Sequence, residues 1–561
     1  MVSHTKMPSQ IRTSSNYWPH QAQLVFRASM SAPDSPSAQL ETPIREGPTP
    51  AMSNSSAILP PLIADLQAVA ARQPDAVAVI DERSEMSYGS FTRLVSARAQ
   101  ALERAGLQRG DRVALIAENS AMFLVSAFAV WEAGGVLVTV YPSTAPADLA
   151  YTLRDASPVA ALADAATVDA VRSALPASVP VAVIDVADFT CASFGRDRLP
   201  NPTDLREPLF MICYSSGTTS RPKAIMLSHT ALHHGATAYA RVWRFNPSDK
   251  AIVCMPMAWL YGLCTTAMST LLAGGTVISL RRSAPALIAS AVERHRATVI
   301  TGVTTIFAKL VKYLEDRESA DLSSLRFAVS GGEPRNEVAF QRFRDLVGVP
   351  VHDNFCSSEC FPLITYDPFA DPSPILGSAG RLVPGSELRI VSPVGADVPV
   401  GEVGEALARG TGLMLGYWND AEETAAALTV DGWYRTKDLV RLDADGYVYV
   451  VGRLSDMIIR GGSNVSPAEV ERVLRMHPAV RDATVIGLPD PVYGEEVVAA
   501  VVCAETHDFD AEGVRTFAKE QLASYKVPTR LVQVDHLPSN TTTGKVNRRQ
   551  VAALIAEADP R

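Results

Sequence analysis

Cysteine is scarce, with seven in 561 residues and none spaced as C-x-x-C. This argues against a disulfide scaffold and a multi-cysteine zinc site. It suits a reducing compartment, so a cytoplasmic protein is expected. A basic surplus is also lacking: 51 Lys and Arg stand against 60 Asp and Glu, for a net charge of −9. Proteins that coat nucleic acid carry the opposite balance, so nucleic acid is not an expected partner. Long uninterrupted apolar runs are missing too. The best candidate, 123–141, is broken by Glu132 and by Gly134-Gly135. It reads as a buried helix, a glycine turn and a strand at 136–140, and no transmembrane span is needed. There is no internal repeat. What is present is an ordinary complement of hydrophobic residues, 47%, enough for a sizeable core. The length predicts several domains, or one large domain and a smaller one.

The first 56 residues are rich in Ser, Pro, Gln and Thr, with no apolar period. Such a segment cannot offset the entropy of ordering, so a disordered tail is expected, with Met30 or Met52 as alternative starts. From residue 57 the pattern changes. Leu62, Leu66, Val69 and Ala70 mark an amphipathic helix. Short β-branched runs then alternate with helical stretches (76–80, 112–116, 136–140, 181–184, 251–254, 276–279, 298–301, 326–329). This is the rhythm of a layered α/β domain. After Gly401 strands and turns dominate, including a hairpin around Asp443–Gly446. A helix at 467–476, strands at 483–487 and 497–502 and a helix at 510–522 make a small α+β unit. The expected division is therefore 57–454 and 455–561.

One segment carries chemistry by itself. An apolar run, Leu209–Cys213, leads into Tyr214-Ser215-Ser216-Gly217-Thr218-Thr219-Ser220-Arg221-Pro222-Lys223. Small residues leave backbone N–H groups free to converge on an anion, hydroxyls add donors, and Lys223 adds charge. Chemically this is a phosphate cradle, though it lacks the Gly-Lys-Ser/Thr ending of a P-loop. Taken alone, such a loop is more often a plain polar turn.

Five further segments follow: Ser330-Gly331-Gly332-Glu333-Pro334; Asn354-Phe355-Cys356-Ser357-Ser358-Glu359; Tyr434-Arg435-Thr436-Lys437-Asp438; the stretch from Gly452 through Arg453, Ser455 and Gly461-Gly462 to Glu471; and Leu537-Pro538 through Gly544-Lys545 to Arg548. Six motifs in this order resemble the acyl-adenylate-forming superfamily of acyl-CoA synthetases, aryl-CoA ligases, luciferases and adenylation domains. The resemblance runs from about residue 58 to the end. It implies a large N-terminal adenylating domain of layered sheets and helices, plus a small mobile α+β C-terminal domain.

The resemblance also implies roles. Ser215, Ser216, Gly217, Thr218, Thr219 and Lys223 would hold the phosphates of ATP. Gly332, Glu333 and Pro334 would pack on adenine, with Phe355 stacking on its face. Ser358 would meet the α-phosphate, and Glu359, with Thr218, would hold Mg²⁺. Asp438 would bind both ribose hydroxyls and Arg453 the nucleotide. Ser455 falls at the hinge, Gly461-Gly462 borders the CoA tunnel, and Lys545 is the adenylation lysine. The implied reaction is ATP-dependent activation of a fatty or aryl carboxylic acid to acyl-AMP, then transfer to CoA. The implied cofactors are ATP, Mg²⁺ and CoA.

Several positions depart from the family pattern. Cys356 and Lys437 stand where glycine is usual, Phe355 replaces Tyr, and the loop from Pro538 to Lys545 is one residue longer. Trp259 replaces a His that often gates the acyl pocket. It suggests an apolar or aromatic acid, and it reads equally as plain core. No acidic residue lies in 256–262, which demotes amino acids as substrates. Cys356 is small where acetate-activating relatives carry Trp, so an acid longer than acetate fits. The Gly pair favours CoA over the phosphopantetheine of an acyl carrier protein, which stays as the alternative acceptor. A silent nucleotide-binding relative is the non-enzyme alternative, and Lys545, Glu359 and Asp438 argue against it. His233, His234 and His352 are read as ordinary packing or surface groups.

Overall fold

A computed structural model describes residues 60–185, 189–194, 200–203, 205–215, 222–317, 320–504, 509–538 and 546–558. The expected tail, 1–56, lies outside them. Among the described residues three sheets form. The core of the largest is parallel: Val77–Ile80, Thr276–Ser279, Lys250–Val253, Val299–Gly302, Phe327–Gly331 and Val351–Ser357 lie side by side in that order. It then turns antiparallel through Cys360–Thr365 and Ser378–Leu382 to Tyr447–Arg453, Tyr434–Leu442, Val403–Gly410 and Ser386–Val391. A second sheet of seven strands is centred on Val136–Thr139 and Arg112–Ile116 and includes the antiparallel pair Leu209–Ser215 and Lys223–Ser228.

The buried helix expected within 123–141 is Ala121–Glu132, and every residue from Phe123 to Trp131 is buried. A helix that is apolar all round belongs in a core, and its side chains join one cluster with residues of both large sheets. Ser120 starts it, its hydroxyl accepting from the Phe123 N–H at 3.1 Å. The strand that follows is Val136–Thr139. No helix among the described residues is long and apolar enough to cross a membrane.

The third sheet is built from Ile458–Arg460, Ser463–Val465, Val480–Asp490, Gly494–Cys503 and Arg530–Gln533, with helices Pro467–Arg475 and Ala511–Gln521 against it. Val480–Asp490 outruns the expected 483–487. The ladder with Gly494–Cys503 continues past the buried centre, where the sequence alternation has already faded. The outcome is a mixed α/β chain with a small α+β unit at its C-terminal end.

The first helix, Pro61–Arg72, buries Leu62, Ile63, Leu66, Val69 and Ala70. It is tied to helix His229–Val242 through histidines. The Leu62 N–H donates to His229 Nε2 at 3.1 Å, and His233 Nε2 lies 2.7 Å from Asp65 Oδ2. Burial, then the neighbouring His233, pulls the His229 imidazole down to about 4, against weaker opposing pulls from Glu207 and Asp65. In the native state His229 therefore stays neutral while the unfolded chain takes up its proton near pH 6.5. Stability from this site is complete above pH 6.5 and is lost as pH falls toward 4. His229→Gln keeps an acceptor but does not titrate. We expect its unfolding free energy to fall less steeply than that of the parent between pH 6.5 and 4 in chemical denaturation. Equal slopes would show that this contact does not govern acid sensitivity.

Candidate active site

Two of the motifs lie at the C-terminal ends of neighbouring parallel strands, where α/β sheets bind ligands. Phe327–Gly331 and Val351–Ser357 are parallel neighbours, with Gly331 opposite Asn354. A side chain at Gly331 would meet the Asn354 carbonyl at 2.7 Å, so glycine is required for this approach. Gly332 follows at φ +80°, a conformation that favours glycine, with open space beside it. The Glu333 carboxylate accepts from the Thr305 N–H at 2.8 Å and from its hydroxyl at 2.9 Å. The side chain is thus committed to the first turn of helix Thr304–Glu315, and Pro334 is exposed. Arg335 ties this turn to the neighbouring strand through the Val351 carbonyl, at 3.0 Å, and an ion pair with Asp353.

Val351–Asn354 and Cys360–Thr365 are buried, yet Phe355, Cys356, Ser357, Ser358 and Glu359 between them are all half-open. They form the end of one strand and the turn into the next, beside the C-terminal ends of the parallel strands. The Tyr239 hydroxyl lies 3.1 Å from Asn354 Oδ1 and 3.3 Å from Cys356 Sγ. Burial, first of all, keeps this phenol protonated, so it serves as a donor. The Tyr417 hydroxyl donates to Glu359 Oε1 at 3.0 Å. Its phenol is pushed far up by burial and by that carboxylate. The Tyr434 phenol is held up the same way, by burial and then by Glu359.

Asp438 is buried and faces Arg453 across the antiparallel pair Tyr434–Leu442 and Tyr447–Arg453. Arg453 Nε donates to Asp438 Oδ1 at 2.8 Å. The predicted ribose and nucleotide residues are therefore partners of each other. Directly after Arg453 comes a single 3₁₀ turn, Leu454–Asp456, and then the first strand of the small sheet. Ser455 sits in that turn, its hydroxyl 2.9 Å from Asp456 Oδ1. Gly461 and Gly462, at φ +56° and +80°, make the two-residue turn of the hairpin Ile458–Arg460 and Ser463–Val465. Two left-handed residues in a row explain why both are glycine.

The loop expected to hold phosphate springs from a hairpin base in which Ser215 pairs with Lys223. Ser216, Gly217, Thr218 and Thr219 lie outside the described residues. Lys223 forms an ion pair with Glu423, and its Nζ stands 5.3 Å from the centre of the Tyr417 ring. Lys545 also lies outside them. Of the described residues on either side of it, the Asn547 N–H donates to the Pro538 carbonyl at 2.8 Å.

Trp259 is half-buried and stacks on Tyr141, with centroids 5.2 Å apart. Two residues on, the Tyr261 hydroxyl donates to the Gly302 carbonyl at 2.9 Å, which brings it to the mouth of the parallel strands. Tyr261 opens a π-helix, Tyr261–Met268, a rare conformation that often accompanies functional sites. Sequence reasoning missed Tyr239, Tyr261, Tyr417 and Glu423. The three tyrosines sit in apolar stretches with nothing to mark their hydroxyls, and Glu423 is one acid of a short helix, so only the fold brings them in.

Comparison with known proteins agrees with this geometry. Residues 66–418 match the AMP-binding enzyme family and residues 469–545 the AMP-binding enzyme C-terminal domain. The chain belongs to the AMP-binding enzyme family. It is similar to a feruloyl-CoA synthase of Amycolatopsis sp, 35% identical over 85% of this chain and 96% of that protein. It is also similar to an indoleacetate–CoA ligase of Aromatoleum aromaticum, 33% identical over 86% and 96%. Among solved structures it resembles the anthranilate CoA ligase AuaEII in complex with anthranoyl-AMP, with a TM-score of 0.78 and 25% identity over 88% and 96% of the two chains. Within the family it is an AMP-forming acid–thiol ligase, which activates a carboxylic acid with ATP and passes the acyl group to CoA.

Proposed function

We propose that the acid is an aromatic or arylalkanoic one, and that the residues assigned above divide the work as follows. A carboxylate is a poor electrophile. Its oxygen attacks the α-phosphorus of ATP, the bond to the β-phosphate breaks, and pyrophosphate leaves. The CoA thiol then attacks the acyl carbon, its proton passes to solvent, and AMP departs. The loop 215–223 cradles the triphosphate, Phe355 and the turn 332–334 hold adenine, and Asp438, steadied by Arg453, binds the ribose. Lys545 bridges the acid and the α-phosphate as negative charge builds. Glu359 and Thr218 would hold Mg²⁺ through hard oxygen donors of the kind it prefers, the Tyr417 hydrogen bond holds the Glu359 carboxylate in place, and Ser358 meets the α-phosphate. That ion would neutralise phosphate charge. Residues 455–561 swing about Ser455 relative to 57–454, presenting Lys545 for the first step and the Gly461-Gly462 turn for the second. The seven free thiols support a cytoplasmic setting.

The observation that carries the aromatic reading is the pair Trp259 and Tyr261, both half-open, with Trp259 stacked on Tyr141 and the Tyr261 hydroxyl on the Gly302 carbonyl at the end of a parallel strand. Flat apolar walls reward a flat ring. The names of the two relatives above, each a ligase of an aryl-bearing acid, support it. The test is pyrophosphate release from ATP over benzoates, cinnamates, arylacetates and fatty acids, each with and without CoA. Aryl acids are expected to lead, with thioester formed when CoA is present. A fatty-acid optimum overturns the aromatic reading. Release that stalls at bound acyl-AMP despite CoA points to a carrier protein instead. Trp259→Gly is expected to shift the profile toward bulkier acids, and an unchanged profile makes Trp259 plain core.

A further inference from the structure

Lys437 occupies a position that glycine would suit better. Its φ is +60°, and of the five non-glycine residues at positive φ among those described it alone lies within a strand. The cause is a bulge. Leu407 pairs with Arg435 and Glu405 with Leu439, so Ala406 stands opposite three residues, with Lys437 at their centre. Such bulges favour glycine, since the left-handed region strains any side chain. The lysine is nonetheless placed where its charge has work to do. Its Nζ lies 3.7 Å from Glu423 Oε1, the same oxygen that is ion-paired with Lys223. Lys223 in turn stands over Tyr417, whose hydroxyl holds Glu359. One carboxylate is therefore shared by two lysines at the edge of the nucleotide site. Its acidity is strengthened by the Lys223 hydrogen bond first and by the charges of both lysines.

With only Lys223 beside it, Glu423 would hold that lysine back. A lysine leaving for phosphate would strand a carboxylate, mostly shielded from water, next to a polyanion. A second cation removes the conflict. We infer that Lys437 is a positioning residue for the triphosphate: it keeps Glu423 neutralised when Lys223 turns to the β- and γ-phosphates of ATP or to pyrophosphate. The inference rests on the reading of 215–223 as the phosphate loop.

The experiment is equilibrium binding of Mg-ATP, pyrophosphate and AMP to the full chain, compared among the parent, Lys437→Gly, Lys437→Arg, Glu423→Gln and the Glu423→Gln, Lys437→Gly double variant. Lys437→Gly is expected to weaken ATP and pyrophosphate by about threefold, the scale of a half-exposed ion pair, and to leave AMP unchanged. Lys437→Arg should bind like the parent. In the Glu423→Gln background the glycine substitution should have no further effect, because no carboxylate needs neutralising. Lys437→Gly should also raise the thermal midpoint, since the strain goes. Equal weakening of AMP would mean a disturbed Asp438 next door, and an undiminished loss in the Glu423→Gln background would mean that Lys437 does not act through Glu423. Either overturns the inference, as does unaltered ATP affinity in Lys437→Gly. Lys223→Ala separates the two levels. If it too leaves ATP affinity intact, the phosphate-loop reading fails; if it weakens ATP while Lys437→Gly does not, only the role of Lys437 fails.

Discussion

Lys545→Ala is expected to slow acyl-AMP formation by about 10²–10³-fold, the usual cost of removing one preorganised charge from a transition state. The two half-reactions separate the effect. Pyrophosphate release from ATP and acid reports the first step, and thioester formation from supplied acyl-AMP and CoA reports the second. Only the first develops charge between carboxylate and α-phosphate, so the second should stay within about twofold of the parent, as expected for a group whose stabilisation is confined to one transition state. If both steps fall together, Lys545 serves the architecture of the small unit and not the chemistry. If neither falls, another cation neutralises the α-phosphate, and Lys223 becomes the residue to change next.

A second large effect is expected far from any charge. Gly262 lies three residues after Trp259, and a methyl group there would stand 2.4 Å from the Pro256 carbonyl oxygen and 2.5 Å from that of Met255. Both obstacles are backbone, so no side-chain rotation relieves them. They belong to the turn that aims Trp259, whose N–H donates to the Pro256 carbonyl at 3.1 Å. Gly262→Ala is therefore expected to cost about 3 kcal/mol, the upper range for overpacking a dense interior. The protein that remains folded should show a raised KM for the acid with its ATP affinity retained, because the residues proposed for the nucleotide lie on other elements. Chemical denaturation and substrate titration check the two halves. Parent-like stability would mean that the turn opens without resistance and does not set the pocket.

Much of the fold is legible in the sequence because local patterns carry it. The first helix appears in Leu62, Leu66, Val69 and Ala70, and all four are buried. The apolar run after residue 123 is a core helix, as Glu132 and the glycine pair imply. The rest is invisible for an identifiable reason. Tyr417 and Glu359 are 58 residues apart, Lys223 and Glu423 are 200 apart, and no spacing rule links them. Lys437 is legible as an oddity in its motif, yet its left-handed backbone and its approach to Glu423 emerge only from the bulge. Motif glycines fare better where the cause is local, as in the two-residue turn that requires Gly461-Gly462; Gly331 answers to the Asn354 carbonyl on the next strand.

The order of strands in the largest sheet also says something about how the chain comes into being. Val77–Ile80 lies beside Thr276–Ser279, and the Thr276 hydroxyl bonds the Val77 carbonyl across 199 residues. At about 5–20 residues per second, synthesis takes roughly 10–40 s to deliver that neighbour. Throughout that interval the strand has only its local antiparallel neighbour Glu85–Ser87, and its other edge stays open. Such distant pairing slows folding and leaves nascent edges open to other chains. Yield in a heterologous host should accordingly follow translation speed and chaperone supply more closely than the stability of the finished enzyme.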